Sequence, residues 1–249
     1  MQKEKIYALD FDGVICDSAI ETSITGWKAA CLLWPKMPAE ISIDIIDRFK
    51  LVRPALETGF EAILIVRLLF EGVSVESLLT DFSHKMDSII RRDQLDPAQL
   101  KQLFGDIRDN WIQEDLDHWI SMNPFFEGVS ETLQSIEPDK CYIITTKQER
   151  FVHQILNANN ISLSPEYVFG LDRNLSKQQV LVDIQDKYPE NEIIFVEDRL
   201  PTLINVMNDE QLSSVRLIFA DWGYNTEQDK QQASDLALNR IDLDTFAAL

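Results

Sequence analysis

Asp10-Phe11-Asp12-Gly13 sets two carboxylates two residues apart just as an apolar run, Ile6 to Leu9, gives out. Extended chain repeats every two residues, so both side chains can project from one strand end into the same small volume. Like charges about 4 Å apart repel by roughly 4 kcal/mol at an effective dielectric of about 20, so the pair calls for a divalent cation or a proton. Gly13 lets the backbone turn sharply or approach a ligand closely. In that volume one Asp can attack phosphorus as a nucleophile while the other serves as general acid and base. The competing reading is an ordinary strand-to-loop junction, where Asp and Gly are common for turn reasons alone.

Three further features could complete such a site. Tyr142-Ile143-Ile144-Thr145 is an apolar strand ending in a hydroxyl, a neutral donor suited to a phosphoryl oxygen. Lys177 opens a helix after Ser176, a good N-cap, where an ammonium can serve as a point charge for an anion. Taken alone it reads as a solvated surface lysine, and Arg173 is close enough in sequence to compete for the role. Glu192 to Val196 is apolar and ends in Glu197-Asp198, a second acidic pair that faces the first if the strands are neighbours. Magnesium takes oxygen ligands and keeps several waters, so a few carboxylates from different strand ends suffice. Glu197 could instead be structural, paired with Arg199.

The elements that must position these groups are short apolar runs: Lys5 to Asp10, Lys140 to Thr145, Tyr167 to Phe169, Glu192 to Glu197 and Val215 to Ala220. Helix-like stretches, Val129 to Ile136, Arg150 to Asn157, Lys177 to Lys187 and Thr202 to Asn208, alternate with the later ones. Repeated β-α units imply an open parallel sheet, and ligands in such sheets sit outside the carboxyl ends of the strands. Residues 18–123 differ. Ile41 to Phe49, Ala55 to Phe70, Val75 to Arg92 and Ala98 to Ile120 read as amphipathic helices punctuated by Pro35, Pro38, Pro54, Gly72 and Pro97. The expected organisation is therefore an α/β core, 1–17 and 124–249, with a helical insertion, 18–123. Trp27, Trp34, Trp111 and Trp119 are expected to be packing anchors of that insertion.

With 249 residues, 45% of them hydrophobic and 26% charged, the chain can bury a sizeable core. A net charge of −19 argues against nucleic acid and anionic membranes as partners. No segment approaches the length of a membrane span. Cys16, Cys31 and Cys141 are widely spaced and form neither a disulfide framework nor a zinc pattern. Together with a polar start that runs straight into a strand, this leads us to expect a cytoplasmic protein. Oligomeric state is not legible.

The order of these motifs resembles the haloacid dehalogenase (HAD) superfamily, with its Rossmann-like parallel sheet. Asp10-Phe11-Asp12-Gly13-Val14 followed by Asp17-Ser18 is similar to the family's first motif, Thr145 to the second, Lys177 to the third and Glu197-Asp198 to the fourth. Ala220-Asp221-Trp222-Gly223-Tyr224 is similar to the loop after the last core strand in phosphoglycolate-phosphatase-like members, so the resemblance runs from residue 5 to near 246. Two positions depart. Thr146 stands where members usually carry Asn, and Thr202 where many phosphatases have a further Asp; the β-phosphoglucomutase-like branch has Glu-Asp and no later Asp.

The resemblance implies a hydrolase of small phosphate monoesters. Asp10 would attack phosphorus, Asp12 would protonate the leaving oxygen and then activate water, and Thr145 and Lys177 would stabilise the transferring group. Mg2+ would be held by Asp10, the backbone carbonyl of Asp12, Asp198 and Glu197. The insertion resembles the C1 helical cap, with Arg48, Lys50 and Arg53 the best candidates for meeting an anionic substrate. Of these, Arg53 is the preferred substrate contact, with Thr146 beside the core motif. Arg91-Arg92 is a weaker candidate, and His84, His118 and His153 receive no role. Two alternatives stand beside hydrolysis: a phosphomutase sharing the first half-reaction, and a non-catalytic protein that binds a phosphorylated metabolite.

Overall fold

The computed structural model describes residues 3–248. They form two compact units, 3–17 with 124–248, and Ser18–Asn123.

The first unit is built on strands β1 (Lys5–Leu9), β2 (Cys141–Ile144), β3 (Val168–Phe169), β4 (Glu192–Glu197), β5 (Arg216–Ala220) and β6 (Asn239–Ile241). They form one parallel sheet in the order β3-β2-β1-β4-β5-β6. Parallel strands require crossovers, and helices such as Glu149–Ala158, Lys177–Lys187 and Leu200–Met207 supply them. Ile6, Ala8, Tyr142, Ile144, Ile193 and Phe195 pack with Val180, Leu181, Ile184, Leu203 and Val206 in one core cluster. Tyr7 and Leu9, which alternate with the first pair, are buried as well. Burial on both faces explains why these strands read as unbroken apolar runs. The order reverses at β1, which β2 and β4 flank, so the crevice of the sheet lies at the carboxyl ends of those three strands. β6 was not expected: it is three residues long, two of them Asn239 and Arg240, and carries no apolar run.

The second unit is helical: Ala19–Leu33, Ile43–Val52, Glu61–Phe70, Val75–Asp93, Pro97–Glu114 and Leu116–Ser121. Three expectations need correction. The expected helix from Ala55 is interrupted at residues 56–60, since the long helix begins at Glu61, whose carboxylate accepts from the Glu57 and Thr58 backbone N–H groups at 2.6 and 3.0 Å. The run 98–120 breaks at Asp115 (φ −158°), which ends one helix and caps the next through the His118 N–H. Ala19–Leu33, unexpected, is buried around most of its circumference, so it shows no clean apolar stripe. Gly26 within it lies so close to the Ala62 backbone that a Cβ would stand 2.9 Å from it.

Each of the four indoles in this unit has an acceptor inside it: Pro38 O for Trp27, Asp93 for Trp34, His118 Nδ1 for Trp111 and Glu21 for Trp119. The last belongs to a buried charge network. The Glu21 carboxylate takes both nitrogens of the Arg108 fork at 2.8 and 2.6 Å and the Thr25 hydroxyl at 2.6 Å. Replacing Arg108 with Met leaves a buried carboxylate without its cation, which is expected to lower stability by about 3–5 kcal/mol. Urea unfolding followed by tryptophan fluorescence measures this, and a loss below about 1 kcal/mol would show that the pair is dispensable. Among the described residues no helix is long and apolar enough to cross a membrane.

Candidate active site

The strand register assembles the site. β1 pairs with β4 so that Leu9 faces Val196, and the Asp10 N–H continues the ladder to Val196 O at 2.9 Å. Asp10 and Glu197 thereby emerge side by side. On the other flank Leu9 faces Ile143, which brings the end of β2 and Thr145 alongside. Asp198 follows Glu197, and carboxylate oxygens of Asp10, Glu197 and Asp198 lie within 4.8 Å of one another, all three residues buried.

Lys177 answers this crowding. It is the first residue of its helix, held by a capping box in which Ser176 and Gln179 satisfy each other's backbone N–H. Its ammonium donates to Asp10 Oδ1 and Glu197 Oε2, both at 2.7 Å. Arg173, the competing cation, is engaged elsewhere, with Glu149 at 2.6 Å and Pro165 O at 2.6 Å. The other Glu197 oxygen accepts the Arg199 backbone N–H at 2.9 Å.

The electrostatics follow from burial and charge count. Desolvation, then the Glu197 charge, push the Asp10 carboxyl up to about 7 despite the Lys177 ammonium. Asp198 is likewise raised, by burial and then by Glu197 and Asp10. Burial opposes the charge on Lys177, but Asp10 and Glu197 outweigh it and hold the ammonium protonated above its usual range. One cation faces three acids, so the cluster is short of positive charge.

Asp198 is seated between two glycines. Gly13 has φ +95°, and a Cβ there would collide with Asp198 Oδ2 and the Tyr224 ring; a Cβ on Gly223 would collide with the Asp198 side chain and Gly13 O. The Tyr224 backbone N–H donates to Asp198 Oδ2 at 2.5 Å, and its hydroxyl reaches Asp17 at 2.8 Å. The Gly-containing loop after β5 thus orients an acid of the cluster.

Sequence reasoning missed Lys147. Its ammonium donates to both Asp12 oxygens, at 3.0 and 3.3 Å, and its backbone N–H to Thr145 Oγ1 at 3.1 Å. A lysine after Thr145-Thr146 carries no periodicity or motif signal; only the fold brings it under Asp12. Thr146 lies between, half-buried.

Arg48, Arg53, Arg91 and Arg92 each have a hydrogen-bond acceptor inside the helical unit. Arg48 donates to Val73 O at 2.7 Å and Leu69 O at 3.4 Å, closing the carboxyl end of Glu61–Phe70, which corrects its expected part in a substrate-binding cluster. Arg53 is buried in the turn Arg53–Ala55 and donates to Leu56 O at 3.3 Å. Arg92 forks onto Glu71 and also meets Asp93, while Arg91 caps Asp87 O.

No family model matches the sequence. No curated protein matches it either. Solved structures do. A Lactobacillus delbrueckii subsp. bulgaricus protein, provisionally described as a phosphoglycolate phosphatase, superposes with TM-score 0.63 at 12% identity, over 99% of this chain and 98% of its own. A haloacid dehalogenase-like family hydrolase from Streptococcus pneumoniae gives 0.57 at 13%, over 97% and 94%. This chain has the HAD-like fold. A HAD family hydrolase from Deinococcus radiodurans R1, solved with bound phosphate and sodium, is similar at TM-score 0.51 and 11% identity, over 100% and 94%. The HAD-like fold accounts for the parallel α/β sheet expected from the motif order.

Proposed function

We propose that the protein is a magnesium-dependent phosphatase that hydrolyses a small phosphate monoester through a phosphoryl group carried on Asp10. The observation that carries this reading is the pairing of two carboxylates two residues apart, each hydrogen-bonded to its own lysine, beside a carboxylate cluster short of positive charge. Neighbours of the same fold described as phosphatases or hydrolases agree with it.

Three carboxylates short of positive charge fit Mg2+, and Asp10, Glu197 and Asp198 would hold it together with the backbone carbonyl of Asp12. Bound there, the cation supplies positive charge that draws the phosphoryl oxygens and the attacking carboxylate together. The chain does the rest. Asp10 attacks phosphorus in line. Asp12 gives its proton to the leaving oxygen and then takes one from the attacking water. Thr145 Oγ1 already accepts from the Lys147 N–H, so its own hydrogen is free to donate to a phosphoryl oxygen. Lys177 offsets the charge of the transferring group. We assign the helical unit 18–123 the part of a cap that selects the leaving group, with Arg53 and Thr146 as the residues that contact substrate, and we place the enzyme in the cytoplasm.

The test is phosphate release from a panel of small monoesters, with and without magnesium. Magnesium-dependent turnover supports the reading. Release from none of them would overturn it, and a requirement for a sugar bisphosphate with retained phosphoryl-enzyme would identify a mutase.

A pH dependence follows. A carboxyl whose folded value is raised stabilises the fold fully below its ordinary range near 3.8, and that contribution disappears as pH rises through about 7. The chelated protein should therefore melt at lower temperature at pH 8 than at pH 6, and magnesium should raise the melting temperature more at pH 8. An equal or larger magnesium shift at pH 6 would mean that the cluster does not bind the ion.

A further inference from the structure

We propose that Lys147 is a positioning residue that sets the Asp12 carboxylate for proton transfer to the leaving oxygen; this rests on the phosphatase reading above. The Lys147 side chain is 0% exposed, whereas Asp12 keeps 17%, so the ammonium meets the carboxylate from its buried side. Both Asp12 oxygens are gripped, at 3.0 and 3.3 Å, which fixes the carboxylate plane as well as its place.

The grip itself cannot wander. The Lys147 backbone is held on both sides, its N–H on Thr145 Oγ1 at 3.1 Å and its carbonyl by the Leu171 N–H at 3.1 Å. Gly170 packs so tightly that a Cβ would stand 2.7 Å from that carbonyl. The Phe11 ring centroid lies 6.0 Å from the ammonium. Asp12 is followed by Gly13 in the left-handed region (φ +95°), where the chain turns away from the strand end and leaves the Asp12 side chain on the Lys147 ammonium. One buried residue thus orients a phosphoryl donor through its backbone and the acid-base group through its side chain.

The step it serves balances simply. An Asp10 oxygen forms a bond to phosphorus, the bond from phosphorus to the ester oxygen breaks with its electron pair, and that oxygen takes the proton from Asp12. In the second half water forms the new bond to phosphorus and gives Asp12 a proton, and the Asp10 carboxylate leaves with its electron pair. An alkoxide needs the first proton. A nitrophenolate does not.

That difference is the experiment. For wild type, Lys147→Met, Lys147→Arg, Asp12→Asn and the Asp12→Asn/Lys147→Met double variant, kcat/KM is measured on an alkyl phosphate and on p-nitrophenyl phosphate. Lys147→Met is expected to lose at least about 100-fold on the alkyl ester and about tenfold or less on the aryl ester. Lys147→Arg should recover part of the difference, and Lys147→Met should cost almost nothing further in the Asp12→Asn background. Equal losses on both esters, or full multiplicative loss in the double variant, would overturn the proposal and mark Lys147 as a packing residue. Wild type that turns over neither ester would overturn the phosphatase reading instead.

Discussion

Asp10→Asn is expected to remove at least about three orders of magnitude of turnover, the scale of losing a covalent nucleophile. The amide keeps the shape and can still accept from Lys177, so the geometry that Glu197 and Lys177 impose should survive. What is lost is the anionic oxygen that forms the bond to phosphorus. The same variant should melt at a higher temperature than wild type in chelator, because one of three crowded acids has gone while the ammonium remains. Opposite movements of activity and stability would separate a removed nucleophile from a damaged fold. Near-wild-type turnover by the variant would sink the assignment of Asp10.

Lys177→Met should show the converse pattern. The variant strips the ammonium that bridges Asp10 and Glu197 at 2.7 Å each. Removing one preorganised charge from a transition state costs about 10²–10³ in kcat. Removing one partner of a buried ion pair also costs about 3–5 kcal/mol of stability, so the chelated variant should unfold more readily than wild type. Added magnesium should restore much of the melting temperature and little of the rate. A variant with kcat within about tenfold of wild type would show that Lys177 is structural.

Much of the site was legible because its chemistry is written in short, ordered motifs at strand ends. Asp10, Thr145 and Glu197-Asp198 each close an apolar run, and parallel strands buried on both faces make such runs easy to see. Lys177, which alone reads as a surface lysine, was legible through its place in the motif order of the family that the chain resembles. Lys147 was not, since its contact with Asp12 spans 135 positions and leaves no local trace. Arg48 shows the opposite failure: a cation near other cations suggested a ligand, whereas its guanidinium closes a helix 21 and 25 residues away. The helix Ala19–Leu33 escaped because Thr22, Thr25 and Gly26 are poor helix formers and its burial blurs the period. Tertiary packing decided all three.

The sheet has a further consequence for the order in which the chain is made. β1 lies between β2 and β4, yet its pairing with β4 must wait for roughly 180 more residues, about 10–40 s at ribosomal rates of about 5–20 residues per second. The helical unit 18–123 is contiguous and emerges whole in that interval. During synthesis the nascent chain therefore carries an apolar strand, Ile6 to Leu9, with both flanks unpaired until Cys141–Ile144 is made and one flank unpaired until Glu192–Glu197 follows. A premature stop before Glu192 would leave that edge open permanently.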